Sequence, residues 1–193
     1  MKKFIIFIGL LLAGGLLARD IAVFAKGEFI VLDAMGSPPA RPADPAKAAF
    51  LAAFEAERAH PAAFPVADNL SNPPAWGKTI AGAGGTIQYH GSFAGGFVVR
   101  VALNGLAPNH RYILTLNGKP DLPGNNRLVD PVPGNETERY YDFLTATTDT
   151  AGRYEATFGI LLPAGPYGVR FYVKDTDDFK IVLYRDYFRF TVD

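Results

Sequence analysis

The sequence predicts an all-β protein, built around an antiparallel β-sandwich or barrel of about eight strands. From residue 76 onward, short runs alternate between apolar and polar side chains, and glycine, proline, asparagine or aspartate separates them. All nine tyrosines and the single tryptophan lie in this part. An apolar N-terminal segment and an arm rich in alanine and proline precede it. We therefore predict three parts: a membrane segment (1–26), the arm (27–75) and the β domain (76–193).

The N-terminal segment has the order of an export signal. Lys2 and Lys3 precede fifteen uncharged residues, 4–18, and Arg19 closes the run. A basic flank before an apolar stretch directs a chain across a membrane and keeps the lysines on the cytoplasmic side. We expect the bulk of the chain in the periplasm or on the extracellular side. The predicted membrane-anchor residues are Phe4, Ile5, Phe7, Leu10, Leu11, Leu16 and Leu17.

Two fates of this segment stay open. Fifteen residues span only about 22 Å as a helix, which is less than the hydrocarbon core of a bilayer. A transmembrane helix that runs on through residues 21–25 reaches the usual length, and we expect such a retained anchor. The alternative is a signal peptide that is cleaved after Ala25.

A second apolar patch, residues 29–32, lies between Glu28 and Asp33. It is too short for periodicity to assign. It could lie on the membrane surface, contact a partner, or form an edge strand of the domain. Phe29 is accordingly a candidate partner contact.

The arm contains one helix signal. Asp44 is a good N-cap, a proline follows it at the first helical position, and Pro61 ends the run. This pattern predicts a helix over residues 45–59. Phe50 and Phe54 share an apolar face of that helix. We expect this face to pack on the domain or on another subunit, so both residues are candidate partner contacts.

The β domain shows eight strand signals and one irregularity. In the run 167–174 every second residue is apolar, so one face points to the core and the other, with Tyr172, to water or a partner. The alternation slips between Tyr184 and Tyr187, which predicts a turn or a bulge there. The predicted strands are 86–90, 97–103, 111–116, 140–147, 153–158, 167–174, 179–184 and 187–192.

Two motifs resemble those of known sandwich families. Residues 105–112, Gly-Leu-Ala-Pro-Asn-His-Arg-Tyr, resemble the Gly-Leu-x-Pro-x-x-x-Tyr run of fibronectin type III domains, in which the tyrosine braces a corner between strands. Residues 148–154 and 162–169 are similar to the Thr-Asp-x-x-Gly-x-Tyr and Leu-Pro-x-Gly-x-Tyr-x-Val pattern of carboxypeptidase-regulatory-like domains. The resemblances imply an immunoglobulin-like β-sandwich and no particular function.

A long loop, residues 119–138, departs from both patterns and is rich in glycine, proline and asparagine. Such loops on small sandwiches are often interaction elements, so we expect a contact surface here. Tyr140 and Tyr141 follow it and are candidate partner contacts. Outward tyrosines also suit stacking on sugar rings.

Composition and spacing exclude several kinds of chemistry. The chain has 19 basic and 19 acidic residues, and neither half has the basic surplus that nucleic acid requires. It has no cysteine, so disulfides and thiolate sites are excluded. Its three histidines, His60, His90 and His110, lack the spacing of metal ligands. No serine lies in a Gly-x-Ser-x-Gly elbow.

One acidic group is a candidate calcium site. Asp175, Asp177 and Asp178, with Asp149, could bind the ion at one end of the sandwich. The loop lacks the glycine and the closing glutamate of a dedicated calcium loop, so we expect solvated turn carboxylates. We predict no metal, no cofactor and no catalytic residue.

These observations predict a non-catalytic, membrane-anchored accessory or structural subunit that packs outside the cytoplasm on other protein subunits of a larger membrane complex. A photosynthetic or respiratory assembly is a natural setting for it. The alternative is a surface-displayed module that binds carbohydrate or another ligand through outward aromatic side chains. An enzyme is the third hypothesis.

Overall fold

The computed structural model of the chain describes residues 22–23, 30–33, 45–58, 64–118 and 139–193. Within these ranges the chain forms two β-sheets and one helix, α1 (Pro45–Arg58). The strands are β1 (Ala22–Val23), β2 (Ile30–Asp33), β3 (Val66–Leu70), β4 (Gly84–Tyr89), β5 (Ser92–Phe93), β6 (Gly96–Asn104), β7 (Arg111–Gly118), β8 (Arg139–Thr147), β9 (Tyr154–Leu161), β10 (Gly165–Asp175) and β11 (Ile181–Val192).

The two sheets form a sandwich. The first runs β1-β2-β9-β6-β4-β3 and the second runs β5-β11-β10-β7-β8. Most neighbours are antiparallel, but β2 pairs with β9 and β5 with β11 in parallel. The predicted all-β class is confirmed, and two separate sheets correspond to the sandwich and not to the barrel.

One apolar core fills the space between the sheets. Val99 and Phe158 from the first sheet and Leu114 and Phe171 from the second are each 0% exposed. Strand alternation explains the pattern, because every second residue of β6 and β10 points inward. Full burial of one aromatic or aliphatic side chain stabilises the fold by about 2 kcal/mol.

Tyrosine hydroxyls brace two of the turns at the ends of strands. The backbone N–H of Ala107 donates to the hydroxyl of Tyr112 at 3.1 Å. The hydroxyl of Tyr167 donates to the carbonyl of Pro163 at 2.7 Å. Both rings are buried, so each bond satisfies a polar group that would otherwise lie unpaired in the core.

The predicted irregularity in the last stretch is a β-bulge. Val169 pairs with Phe188, whereas Phe171, two residues later, pairs with Arg185. β11 therefore has one more residue than β10 across this interval, and Asp186 and Tyr187 together face one position of β10. The two strands predicted at 179–184 and 187–192 are thus one continuous strand, β11.

The helix α1 agrees with the predicted helix and packs on the outer face of the first sheet. Phe50 and Phe54 are 2% and 0% exposed and contact Val98, a β6 residue that faces away from the main core. The ring of Phe50 lies over Gly96 and Gly159, where an added Cβ would lie within 2.5 Å and 2.9 Å of it. Both phenylalanines are therefore buried in the chain's own structure and form no exposed surface for a partner.

The β domain begins earlier than predicted. β3, Val66–Leu70, pairs along its whole length with β4, and Leu70 lies in the main core. The boundary predicted at residue 76 therefore falls inside the domain. The apolar patch after Glu28 overlaps β2, Ile30–Asp33, so it belongs to a strand of the first sheet. The predicted edge position is wrong, because β2 lies between β1 and β9 and β1 is at the edge.

Two residues of the predicted membrane segment are described. Ala22 and Val23 form β1, which pairs with β2. The retained anchor and the cleaved signal peptide both stay predictions. The predicted anchor residues between Phe4 and Leu17 lie outside the described residues, as does Phe29.

Candidate functional site

A cleft of about 400 Å³ lies on the outer face of the second sheet. The segment between β3 and β4 forms its wall and contributes Pro74 and Trp76. β10 and β11 form its floor. The floor residues are Arg170, Tyr172, Ile181, Tyr184 and Asp186. A cleft of this volume is in the range of small-molecule sites.

Strand alternation directs the floor of the cleft away from the core. Val169, Phe171 and Val173 of β10 are each 0% exposed and belong to the main core. Arg170 and Tyr172, between them, consequently point to the opposite face. One strand thus supports the core on one side and the cleft on the other.

Backbone hydrogen bonds hold the wall against β11 on both sides of Trp76. Ser71 and Tyr184 exchange two bonds, of 3.0 Å and 2.9 Å. The backbone N–H of Lys78 donates to the carbonyl of Ile181 at 2.8 Å. The position of Trp76 over the floor is therefore set by main-chain pairing and not by its side chain alone.

A buried carboxylate adds a third attachment of the wall. Asp175 is 4% exposed and accepts a hydrogen bond from the Lys78 ammonium at 2.7 Å. Nε2 of His110 lies 2.8 Å from its other oxygen. Burial acts to raise the pKa of Asp175, but the hydrogen bonds from Lys78, the Asp177 backbone and His110 outweigh it and hold the pKa at about 2. The expectation of a solvated carboxylate is wrong for Asp175.

The same group is the nearest approach to a metal site among the described residues. One ligand atom each from His110, Asp175 and Asp177 lie within 4.8 Å of one another. The Lys78 ammonium already contacts Asp175, however. Its positive charge would repel a metal cation bound at this place. Asp149 accepts hydrogen bonds from two backbone N–H groups of its own turn. These contacts fit structural roles for the acidic residues.

The aromatic rings of the cleft contact one another at steep angles. The Trp76 ring lies 5.5 Å from the Tyr184 ring at 78° and 6.2 Å from the Tyr172 ring at 57°. Edge-to-face contacts of this kind are favourable and fix the orientation of the rings. Trp76 is nevertheless 55% exposed. The cleft therefore presents a flat apolar ring that is held in place but open to solvent.

Arg170 supplies the polar side of the cleft. Its Nε donates to Asp186 Oδ1 at 3.1 Å, and its Nη1 lies 3.4 Å from the Tyr172 hydroxyl. Its guanidinium carbon lies 4.2 Å from the centroid of the Tyr187 ring. The pKa of Asp186 lies below its ordinary value, because the Tyr187 backbone N–H and Arg170 donate to the carboxylate.

The lining of the cleft contains two ionised side chains, Arg170 and Asp186. Among its described lining residues, Asp186 is the single carboxylate, and none is a histidine, serine or lysine. The lining combines the apolar ring of Trp76 with the Arg170 guanidinium, the Asp186 carboxylate and the side chains of Tyr172 and Tyr184.

The residues predicted from the sequence have different fates. Tyr172 lies on the predicted outer side of β10 and lines the cleft, but it is only 4% exposed and lies against the Trp76 ring. Tyr141 is 5% exposed and packs against Phe143 in the main core, so it is no partner contact. Tyr140 is described only as part of the β8 backbone, and the loop 119–138 lies outside the described residues.

The two described histidines lie at different places in the fold. His110 contacts Asp175 of the second sheet. Nε2 of His90 lies 3.0 Å from Glu57 of α1, the helix that packs on the first sheet. His60 lies outside the described residues. Each described histidine thus has its own carboxylate partner.

The sequence patterns predicted no site role for three residues that line the cleft, Trp76, Arg170 and Asp186. The available signal was the slip in alternation before Tyr187, because a bulge often re-aims side chains toward a site.

No protein-family model, curated protein or solved structure matches this chain. Among the described residues, no helix has the length and the apolar character that a membrane span requires.

Proposed function

We propose that the chain is a non-catalytic binding module that is displayed on the far side of a membrane and takes carbohydrate in the aromatic cleft of its second sheet. The observation that carries the proposal is Trp76, which is more than half exposed although two tyrosine rings and the adjoining backbone hold it in place. Exposure of so large an apolar ring costs solvation free energy, which a ligand recovers.

The pairing of groups in the cleft favours a sugar. A pyranose ring has an apolar face of C–H groups and a rim of hydroxyls, each both donor and acceptor. Trp76 offers the flat surface for the apolar face. Arg170 and Asp186, side by side, offer a donor and an acceptor for neighbouring hydroxyls.

A glycan array tests the proposal. The full-length chain, purified in mild detergent and labelled, is applied as wild type and as Trp76→Ala. We expect wild type to bind a related group of neutral glycans and Trp76→Ala to lose these signals. Phe179→Ala is the matched control, because Phe179 is 66% exposed and does not line the cleft.

Two outcomes contradict the proposal. One is an array on which the wild-type chain binds no glycan. The other is equal loss of binding in Trp76→Ala and Phe179→Ala, which would indicate general adhesion of exposed aromatic rings.

The accessory-subunit hypothesis has less support. It needs apolar faces that await a partner, and Phe50, Phe54 and Tyr141 are instead buried within the chain. Its other predicted contacts, the anchor residues of the N-terminal segment, Phe29 and the loop 119–138, lie outside the described residues. A pull-down from native membranes in mild detergent tests it, with stoichiometric capture of membrane subunits as the outcome in its favour.

A further inference from the structure

A second exposed aromatic residue lies next to the cleft on the same strand. Tyr187 is 37% exposed and is joined to the cleft through Arg170, whose guanidinium carbon lies 4.2 Å from its ring centroid. Tyr187 follows Tyr184, the floor residue under Trp76, by three residues of β11. At the rise of a β-strand, these positions are about 10 Å apart.

The bulge accounts for this placement. Consecutive residues of a regular strand point to opposite faces, so Asp186 and Tyr187 would normally diverge. Both instead contact Arg170, one through a hydrogen bond and the other through its ring. The extra residue in β11 therefore adds a second ring to the face that carries the cleft.

The two charges of the cleft lining cancel. The guanidinium of Arg170 and the carboxylate of Asp186 form an ion pair at 3.1 Å. A uronate or another anionic sugar would have to compete with Asp186 for Arg170. A neutral sugar can use both groups at once through its hydroxyls.

The arrangement of the two rings along a strand indicates an extended ligand. Trp76 lies over Tyr184 of β11, and Tyr187 follows three residues further along the same strand. Glycans with equatorial β-1,4 linkages form flat, extended chains whose ring faces suit successive platforms. Chains with α-1,4 linkages coil, so their successive ring faces turn away from a straight row of platforms.

We propose that the face takes a neutral β-1,4-linked glycan chain that lies along β11, with one sugar ring on Trp76 and another on Tyr187. This proposal rests on the proposed function and adds its ligand class and a second subsite. Arg170 and Asp186 lie between the two platforms and bind hydroxyls of the intervening part of the chain.

Calorimetric titration of the full-length chain with cellobiose, cellotetraose and cellohexaose tests the proposal. We expect affinity to rise from the disaccharide to the hexasaccharide. Tyr187→Ala should lower the affinity for cellohexaose about threefold to tenfold and leave that for cellobiose unchanged, because it removes one stacking contact. Tyr187→Phe keeps the ring and should bind as wild type. Maltohexaose, the coiled isomeric chain, should bind more weakly than cellohexaose.

Several results would overturn it. These are equal affinity at all lengths, maltohexaose bound as well as cellohexaose, and a folded Tyr187→Ala variant that keeps the full affinity. If the array shows Trp76-dependent binding of other glycans while cellohexaose fails to bind, this proposal falls and the proposed function stands. Binding of a proline-rich peptide with no glycan bound would overturn both.

Discussion

The guanidinium carbon of Arg170 lies 4.2 Å from the ring centroid of Tyr187, and Nε of the same group donates to Asp186 at 3.1 Å. A single side chain thus connects the lining of the aromatic cleft to the ring that the β-bulge adds beside it. This connection depends on the planar shape of the guanidinium as much as on its charge.

Replacement of Arg170 by lysine is therefore expected to weaken glycan binding about threefold to tenfold, since an ammonium cannot stack on Tyr187 and donate in the same plane. Calorimetric titration measures the effect. Arg100→Lys is the matched control, because Arg100 donates to Glu155 on the other sheet. Unchanged affinity in Arg170→Lys would show that the planar group plays no part in binding.

Asp175→Asn is expected to destabilise the chain in a pH-dependent way. The pKa of Asp175 is held at about 2, below its ordinary value of 3.8. At a pH above 3.8, the ionised carboxylate of Asp175 therefore stabilises the folded state by about 2 kcal/mol. This contribution is lost as the pH falls from about 4 through 2. The difference in melting temperature between wild type and variant, followed by circular dichroism, should shrink over that range. A constant difference would contradict the assignment.

Phe54→Ala is expected to release α1 from the first sheet. Phe54 is 0% exposed between the helix and the sheet, and truncation of such a side chain costs about 3 kcal/mol. Limited proteolysis should then cut within α1 in the variant before the β domain is attacked. Leu51→Ala, at a half-buried position of the same helix, should have a smaller effect. Equal protection of α1 in wild type and Phe54→Ala would contradict this docking.

Much of the fold was predictable, because short-range sequence patterns determine many of its strands and its helix. Alternation in 167–174 identified β10 and the outward direction of Tyr172, and the slip before Tyr187 located the bulge. The N-cap and proline signals located α1 to within a residue at its end.

The parts that were missed depend on contacts between distant segments. β3 has two polar residues, Asp68 and Asn69, in its short run, and its pairing with β4 makes Val66–Leu70 a strand. Asp175 resembles a turn residue until Lys78, 97 residues away, is placed against it. Trp76 becomes part of a site only when residues 71–78 form hydrogen bonds with β11, and no local pattern predicts that pairing.

Trp76 is the only tryptophan of the chain, so its fluorescence reports on the cleft directly. The measurement is the tryptophan emission of the full-length wild-type chain, excited where tyrosine does not absorb, during titration with the glycan that binds best on the array. Stacking of a sugar on the indole should shift or quench the emission saturably, with the same dissociation constant as calorimetry gives. Glycan binding that leaves the emission of Trp76 unchanged would contradict the cleft as the binding site.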